Sequence, residues 1–454
     1  MTRTPALAAL AACAALAGCS GGTASIPTST TGVATAHRAA GADSQPAAAA
    51  RKSKIQHVVI VVQENRSFDN LFQGYPGANT VSSGKNSKGQ TIALQPEGLE
   101  ADYQVNHELS DYIAACDGTG SIPGTDCRMD GFDKELAAGP GAPSNPQYAY
   151  VPAAETKPYF AMAGQYVLAD DMFTSHIDAS FVSHQYIIAG QAGGAVDLPS
   201  GLWGCGGVGG DSVETLTAQR VYGPTIAPCF TYATIASELE AKGLTWHFYS
   251  AGPSDGGYLW SAYQAIGPVY NGPDWTSDVV QNPAQFLTDV AAGTLANVTW
   301  VTPTDANSDH AGAQSKSGPQ WVTSVVNAVG ESKFWKNTTI FVMWDEWGGW
   351  YDHVAPPYVD YDGLGIRVPL LILSPYAKHG YVSHVQYEHG SILKYVEDTF
   401  GLARLAASDT RANSPVPDAI DYKQKPRAFK PFPTALKPAD FIDAPPDTRP
   451  PDEE

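Results

Sequence analysis

Residues 56–68 read QHVVIVVQENRSF, and this stretch decides the fold. Val58-Val59-Ile60-Val61-Val62 is a continuous β-branched run, which predicts a strand buried on both faces. The run stops at Gln63-Glu64-Asn65. In open α/β sheets ligands bind beyond the carboxyl ends of the strands. Glu64 and Asn65 therefore stand where a site would form, and both offer oxygen to a hard cation. Thr338-Thr339-Ile340-Phe341-Val342-Met343-Trp344 repeats the pattern and ends in Asp345-Glu346-Trp347-Gly348-Gly349. Two buried strands that each deliver adjacent oxygen donors predict one shared metal site. Gly348 and Gly349 permit a sharp turn or a close approach, and Asp352 and His353 follow at once.

Further strands are expected at 166–169, 244–249, 298–301 and 370–373, with helices between them, for example at 233–242 and 386–400. The alternation predicts an α/β fold: a three-layer sandwich around a mainly parallel sheet. Residues 191–228, Gly-rich with Trp203, read as an irregular insertion near the mouth of the site. So does 254–283, rich in Tyr, Trp and Pro.

The ends of the chain differ from this core. Arg3 and the Ala/Leu-rich run up to Gly18 predict a signal peptide over 1–18, too short to stay as a membrane span. Leu16-Ala17-Gly18-Cys19 resembles a bacterial lipobox, which implies cleavage before Cys19 and lipidation of its thiol. Residues 19–50 are Ser, Thr, Gly and Ala with little apolar content, expected to be a lipid-anchored flexible linker. A catalytic domain is then expected over 51–412 and a Pro-rich tail over 413–454. The expected location is exported and membrane-anchored, on the periplasmic or cell-surface side, with membrane contact through the lipid alone.

The formal net charge is −19, and removing 1–18 takes away one basic residue, leaving 26 basic against 46 acidic. Such a surface argues against nucleic acid and anionic lipid, and favours a zwitterionic or small soluble substrate. Four cysteines follow the anchor: Cys116, Cys127, Cys205 and Cys229. In an exported chain they predict two disulfides, and proximity favours Cys116–Cys127 and Cys205–Cys229.

QENRSFDNLFQGYPG from Gln63, MDGF from Met129, WDEWGGWYDHVAPP from Trp344 and RVPLLILSPYAKHGYV from Arg367 resemble the bacterial phosphoesterase family. That family holds phosphatidylcholine-preferring phospholipases C and a group of acid phosphatases, within the alkaline-phosphatase-like superfamily. The resemblance runs from about Lys54 to about Leu402. It implies an alkaline-phosphatase-like fold and a serine or threonine nucleophile bound to one divalent metal ion of unspecified identity. Glu64, Asn65, Ser180, Asp345 and Glu346 would form the metal shell.

Ser180 lies after the strand-like YVLADDMF and before an expected helix, whose N-terminus would direct N–H groups at a phosphate. A helix N-cap is its bland role, and Ser183 and Ser175 are neighbouring candidates for the nucleophile. Following the family pattern, His107, His184 and His310 surround the phosphate as imidazolium groups. His310 or His184 would protonate the leaving alkoxide. Asp352 and His353 would support the metal from behind.

The resulting expectation is a metal-dependent phosphoesterase acting through a covalent phosphoserine. Serine at position 180 resembles the acid-phosphatase branch, whereas the phospholipases C favour Thr followed by Pro-Asn-Arg; Val182-Ser183-His184 stands here instead. A small phosphate ester or a phospholipid headgroup would be the substrate. The alternatives are a phospholipase C acting on choline phospholipid, with Trp203, Tyr258 and Trp260 as a cation–π cage or as ordinary packing, and an inactive surface lipoprotein that binds a partner. No G-x-S-x-G elbow or P-loop is present.

Overall fold

The apolar run at 58–62 becomes strand β1 (His57–Gln63), with every residue from Val58 to Gln63 buried. A computed structural model describes residues 54–207 and 210–447. The signal peptide over 1–18, Cys19 and the linker over 19–50 lie outside the described residues, as does the end of the tail.

Eight strands form the main sheet: β1, β2 (Val167–Ala169), β3 (Trp246–Tyr249), β4 (Val279–Val280), β5 (Val298–Val301), β6 (Thr338–Trp344), β7 (Leu370–Leu373) and β8 (Tyr381–Ser383). Their order across the sheet is β4-β3-β5-β1-β6-β7-β2-β8. β1 is central and pairs in parallel with both β5 and β6, in a register that sets Gln63 beside Trp344. The two oxygen-bearing strand ends are thus neighbours. β7 is antiparallel to both β6 and β2, and the remaining pairs are parallel.

Helices cover both faces. In order they are α1 (Lys157–Gln165), α2 (Ser180–Ala189), α3 (Ile235–Glu240), α4 (Gln285–Ala291), α5 (Gly318–Gly330) and α6 (His389–Phe400). Side chains alternate across a strand, and β6 shows which helices lie on which side. Phe341 packs edge-on against Tyr395 of α6, whereas Trp344, of opposite parity, packs edge-on against Tyr159 of α1. α2 and α3 pack with α6, and α4 and α1 pack with α5, which completes the three layers.

Two details differ from the sequence reading. Residues 254–283 do more than form an irregular insertion: they carry short helical turns and return β4 to the sheet edge. The helix expected over 386–400 starts at His389, because Tyr387–Glu388 first pairs as a short strand with Met172–Phe173. The disulfides are Cys116–Cys127 and Cys205–Cys229, as proximity suggested. Beyond residue 412 the chain crosses α5. Phe432 and Asn327 exchange hydrogen bonds, and Phe441 packs on Trp321. Among the described residues no helix is long and apolar enough to cross a membrane.

Candidate functional site

Beyond β1 the chain turns sharply. Asn65 adopts a left-handed backbone, φ 57°, which asparagine tolerates better than most residues. Its N–H donates to Asp345 Oδ1 at 2.8 Å, so the ends of β1 and β6 are tied together. Gly348 is required beside it, because a Cβ there would lie 2.2 Å from the Asn65 carbonyl oxygen. A Cβ on Gly349 would strike the Val105 side chain at 2.4 Å. The two glycines therefore let the loop after β6 lie against both Asn65 and the segment that carries His107.

Glu64, Asp345 and His184 each bring one ligand atom within 4.8 Å of the others, and all three are buried. His184 Nε2 lies 3.2 Å from Glu64 Oε2 and 3.9 Å from Asp345 Oδ2. Burial drives His184 down to about 4. Burial and the adjacent Glu64 push Asp345 up to about 7. In this setting the interior opposes both the imidazolium and the carboxylate, which is the deficit a divalent cation would correct. Asn65 Oδ1 is also buried and has no hydrogen-bond partner. Two carboxylates, a neutral imidazole and an orphaned amide oxygen fit a hard or borderline divalent ion.

Asn65 links this cluster to Ser180. Its Nδ2 donates to Ser180 Oγ at 3.4 Å and to His107 Nε2 at 2.9 Å. His107 Nδ1 donates to the Val105 carbonyl at 2.8 Å, which leaves Nε2 as the acceptor in the neutral ring. Glu346 is not among the three mutually close ligands. Its Oε2 accepts from Gly348 N at 2.7 Å, and its Oε1 lies 3.2 Å from His107 Nε2.

Ser180 is the first residue of α2, and the N-cap is Ala179, which makes no side-chain cap. The capping role is therefore not its role. The first-turn N–H groups of this helix lack intrahelical acceptors. Asp178 sets the entry, with Oδ1 accepting from Ala179 N at 2.9 Å and Asp197 N at 2.7 Å. The neighbouring serines are engaged elsewhere. Ser183 Oγ donates to the Asp345 carbonyl at 2.6 Å, and Ser175 Oγ donates to Glu388 Oε2 at 2.8 Å.

His310 stands on the loop after β5. The preceding Asp309 accepts from Tyr159 at 2.7 Å and Trp344 Nε1 at 3.0 Å, while its N–H donates to Gln63 Oε1 at 2.8 Å. Arg66 Nε adds a bond to the Asp309 carbonyl at 2.6 Å. Gln63, Arg66 and Trp344 thus fasten His310 to the carboxyl ends of β1 and β6. The His310 ring stacks on the buried Trp260, centroids 5.8 Å apart. Trp203 is buried too and meets Phe181, so neither tryptophan is a surface cage.

Asp352 and His353 belong to a separate group with Asp69. Arg367 donates to both Asp352 oxygens, at 2.9 and 3.1 Å, and His353 Nδ1 donates to Asp69 Oδ2 at 2.6 Å. Sequence reasoning gave Gln63 and Arg367 no role, although both lie in the quoted motifs. A lone glutamine or arginine carries no period or spacing that marks its partner. His389, at the start of α6, was also missed: it is fully buried and burial drives it down to about 3, with His184 adding to the shift.

The profile of the phosphoesterase family matches residues 55–403. Over 408 residues the chain is 25% identical to a non-hemolytic phospholipase C of Pseudomonas aeruginosa, covering 77% of this chain and 54% of that protein. Phospholipase C A of Mycobacterium tuberculosis is 25% identical over 399 residues, with 77% and 73% covered. The chain thus spans about half the length of the Pseudomonas relative. Among solved structures it is similar to a protein in the alkaline phosphatase superfamily from Vibrio parahaemolyticus, TM-score 0.39 and 9% identity, covering 80% of this chain and 72% of that one.

Proposed function

The chain belongs to the phosphoesterase family, and from that premise we propose that it hydrolyses phosphate esters with Ser180 as nucleophile. The observation that carries this reading is the Ser180 hydroxyl, set at a helix N-terminus within 3.4 Å of Asn65 Nδ2, beside the Glu64–Asp345–His184 group. One divalent ion held by Glu64, Asp345 and His184, with Asn65 Oδ1 at hand, would supply Lewis-acid neutralisation of charge at the serine and the phosphoryl oxygens.

The protein's own groups divide the remaining tasks. Asn65 Nδ2 orients the serine oxygen. The first-turn N–H groups of α2 receive phosphoryl oxygens. His107, held through Nδ1, keeps Nε2 against Asn65 Nδ2 and near Glu346 Oε1, and so positions the amide that holds the serine. His310 is the donor to the departing alkoxide, its ring fixed by Nδ1 donating to the Ala311 carbonyl. His184 is driven towards the neutral form and serves as a ligand rather than as an imidazolium.

Two substrate readings follow, each with its own support. The phospholipase C relatives favour a phosphodiester carrying a lipid leaving group. Ser180-Phe181-Val182-Ser183-His184, which differs from the Thr-Pro-Asn-Arg pattern, favours a phosphomonoester. Parallel assays on p-nitrophenyl phosphate and p-nitrophenyl phosphorylcholine, with and without chelator, separate them. Rapid acid quench followed by peptide mapping should find phosphate on Ser180. Phosphate on another residue, together with an active Ser180→Ala variant, would overturn the assignment. Lipid anchoring through Cys19 belongs to the same proposal, and Cys19→Ala should move the protein out of the membrane fraction; unchanged retention would reject it.

A further inference from the structure

Trp260 is fully buried, yet its indole N–H has no hydrogen-bond partner among the described residues. A buried tryptophan ordinarily finds an acceptor for that group, because leaving it unpaired is costly. Phenylalanine would fill most of the space without that cost. What tryptophan adds is its broad face, and that face lies against His310, with ring centroids 5.8 Å apart and planes inclined by 26°.

The turn that carries Trp260 is built to hold the ring there. Tyr258–Trp260 is a short helical turn entered through Gly257, at φ 87°. A Cβ on Gly257 would lie 2.8 Å from the Trp260 ring and 3.0 Å from Asp305 N, so glycine is what lets the ring and the loop after β5 come this close. Three neighbouring elements brace the turn. Asp305 N–H, on the loop that leads to His310, donates to the Gly256 carbonyl at 2.9 Å. Gln185 Nε2, next to His184 on α2, donates to the Ala262 carbonyl at 3.0 Å. Ser250 Oγ, just beyond β3, donates to Ser261 Oγ at 3.0 Å. The tail is tied to the same turn: Gly256 N–H donates to the Asp447 carbonyl at 2.5 Å, and Asp447 N–H donates to Asp255 Oδ1 at 2.7 Å.

We propose, on the reading of His310 as donor to the leaving group, that Trp260 is its positioning residue. Indole is the aromatic face that attracts a cation most strongly, and the attraction grows where water is excluded, as it is around the buried His310. Nδ1 of His310 is tied to the Ala311 carbonyl, so it is the Nε2 proton that passes to the departing oxygen. That transfer occurs as the ionised Ser180 oxygen bonds to phosphorus and the P–O bond to the leaving group breaks, and the imidazole ring ends neutral. Trp260 thereby sets how basic a leaving group the site can expel.

The test is leaving-group dependence, measured as kcat/KM of the full chain on p-nitrophenyl and phenyl esters of phosphate, or of phosphorylcholine where that is the better substrate. p-Nitrophenolate departs with little need of a proton, whereas phenolate needs one. Trp260→Leu should lower kcat/KM about tenfold on the phenyl ester and less than about twofold on the p-nitrophenyl ester. Trp260→Phe, which removes the unpaired N–H and keeps a weaker face, should show about a threefold loss on the phenyl ester alone, and it carries the test should Trp260→Leu not fold. His310→Asn should be selective in the same sense and larger, about a hundredfold. Trp203→Leu, which removes another buried indole, should affect the two esters equally. All variants must keep the circular dichroism and metal content of the parent. Equal losses on the two esters in the Trp260 variants, or none, with His310→Asn still selective, would overturn the role of Trp260 alone. Selectivity of the same size in Trp203→Leu would also overturn it. Equal losses in His310→Asn would overturn His310 as the donor, and the role of Trp260 with it.

Discussion

Two buried acidic clusters hang from the same two segments of chain, and they are resolved in opposite ways. Glu64 and Asp345 form one; Asp69 and Asp352, a few residues further along each segment, form the other. In the second, Arg367 lies between the carboxylates, bidentate on Asp352 and 3.7 Å from Asp69, with His353 on the far oxygen. Although burial works against its charge, the two aspartates hold Arg367 above its ordinary value. In the first cluster the group set against both carboxylates is His184, which burial drives towards the neutral form. A cluster with an internal counter-ion is a brace. A cluster whose partner is a neutral imidazole is a candidate for a cation from outside.

The largest expected effect tests the first half of that contrast. Asp345→Asn or Glu64→Gln should leave the fold intact, remove most bound divalent metal and lower kcat/KM by several orders of magnitude. Asp352→Asn should leave metal content unchanged. Metal analysis of the purified proteins beside their kinetics decides it, and full activity in a metal-free protein would break the comparison.

Arg367→Met comes next and tests the brace. It strands two aspartates in the interior and should cost about 3–5 kcal/mol in denaturant unfolding. A loss below about 1 kcal/mol would show that the second cluster does not need its arginine.

A smaller effect is carried by pH. Asp345 sits near 7 in the metal-free protein, against an ordinary value of 3.8. Between these values the folded state holds a proton that the unfolded chain has released, so metal-free stability falls as pH rises through the window. A bound cation displaces that proton. The gap in melting temperature between metal-loaded and chelated protein should therefore widen from about pH 5 to about pH 8. A constant gap would contradict this assignment of the charge deficit.

The smallest effect sharpens the position of Ser180. Because Ala179 is the N-cap, Ser180→Ala should change unfolding stability by no more than about 0.5 kcal/mol while turnover is lost. Ser183→Ala breaks a bond to the Asp345 carbonyl and should cost about 1 kcal/mol. A larger stability loss in Ser180→Ala than in Ser183→Ala would return the serine to a structural role.

Sequence alone determined the central strands, because continuous β-branched runs at 58–62 and 338–344 have one stable environment, the middle of a covered sheet. It also placed Glu64, Asn65 and Asp345 at adjoining strand ends, since parallel neighbours share a carboxyl edge. Both disulfide pairings were legible from proximity. The antiparallel direction of β7 was not, because a four-residue apolar run carries no sign of its polarity. Nor was the division of labour among the charged residues. Arg367, far in sequence from Asp69, reaches it only across the folded loops, and His184 turns towards Glu64 only because α2 presents that face to β1. Local pattern fixes which residues are buried; which buried charges neutralise one another depends on side-chain direction in three dimensions, and tertiary structure alone supplies that.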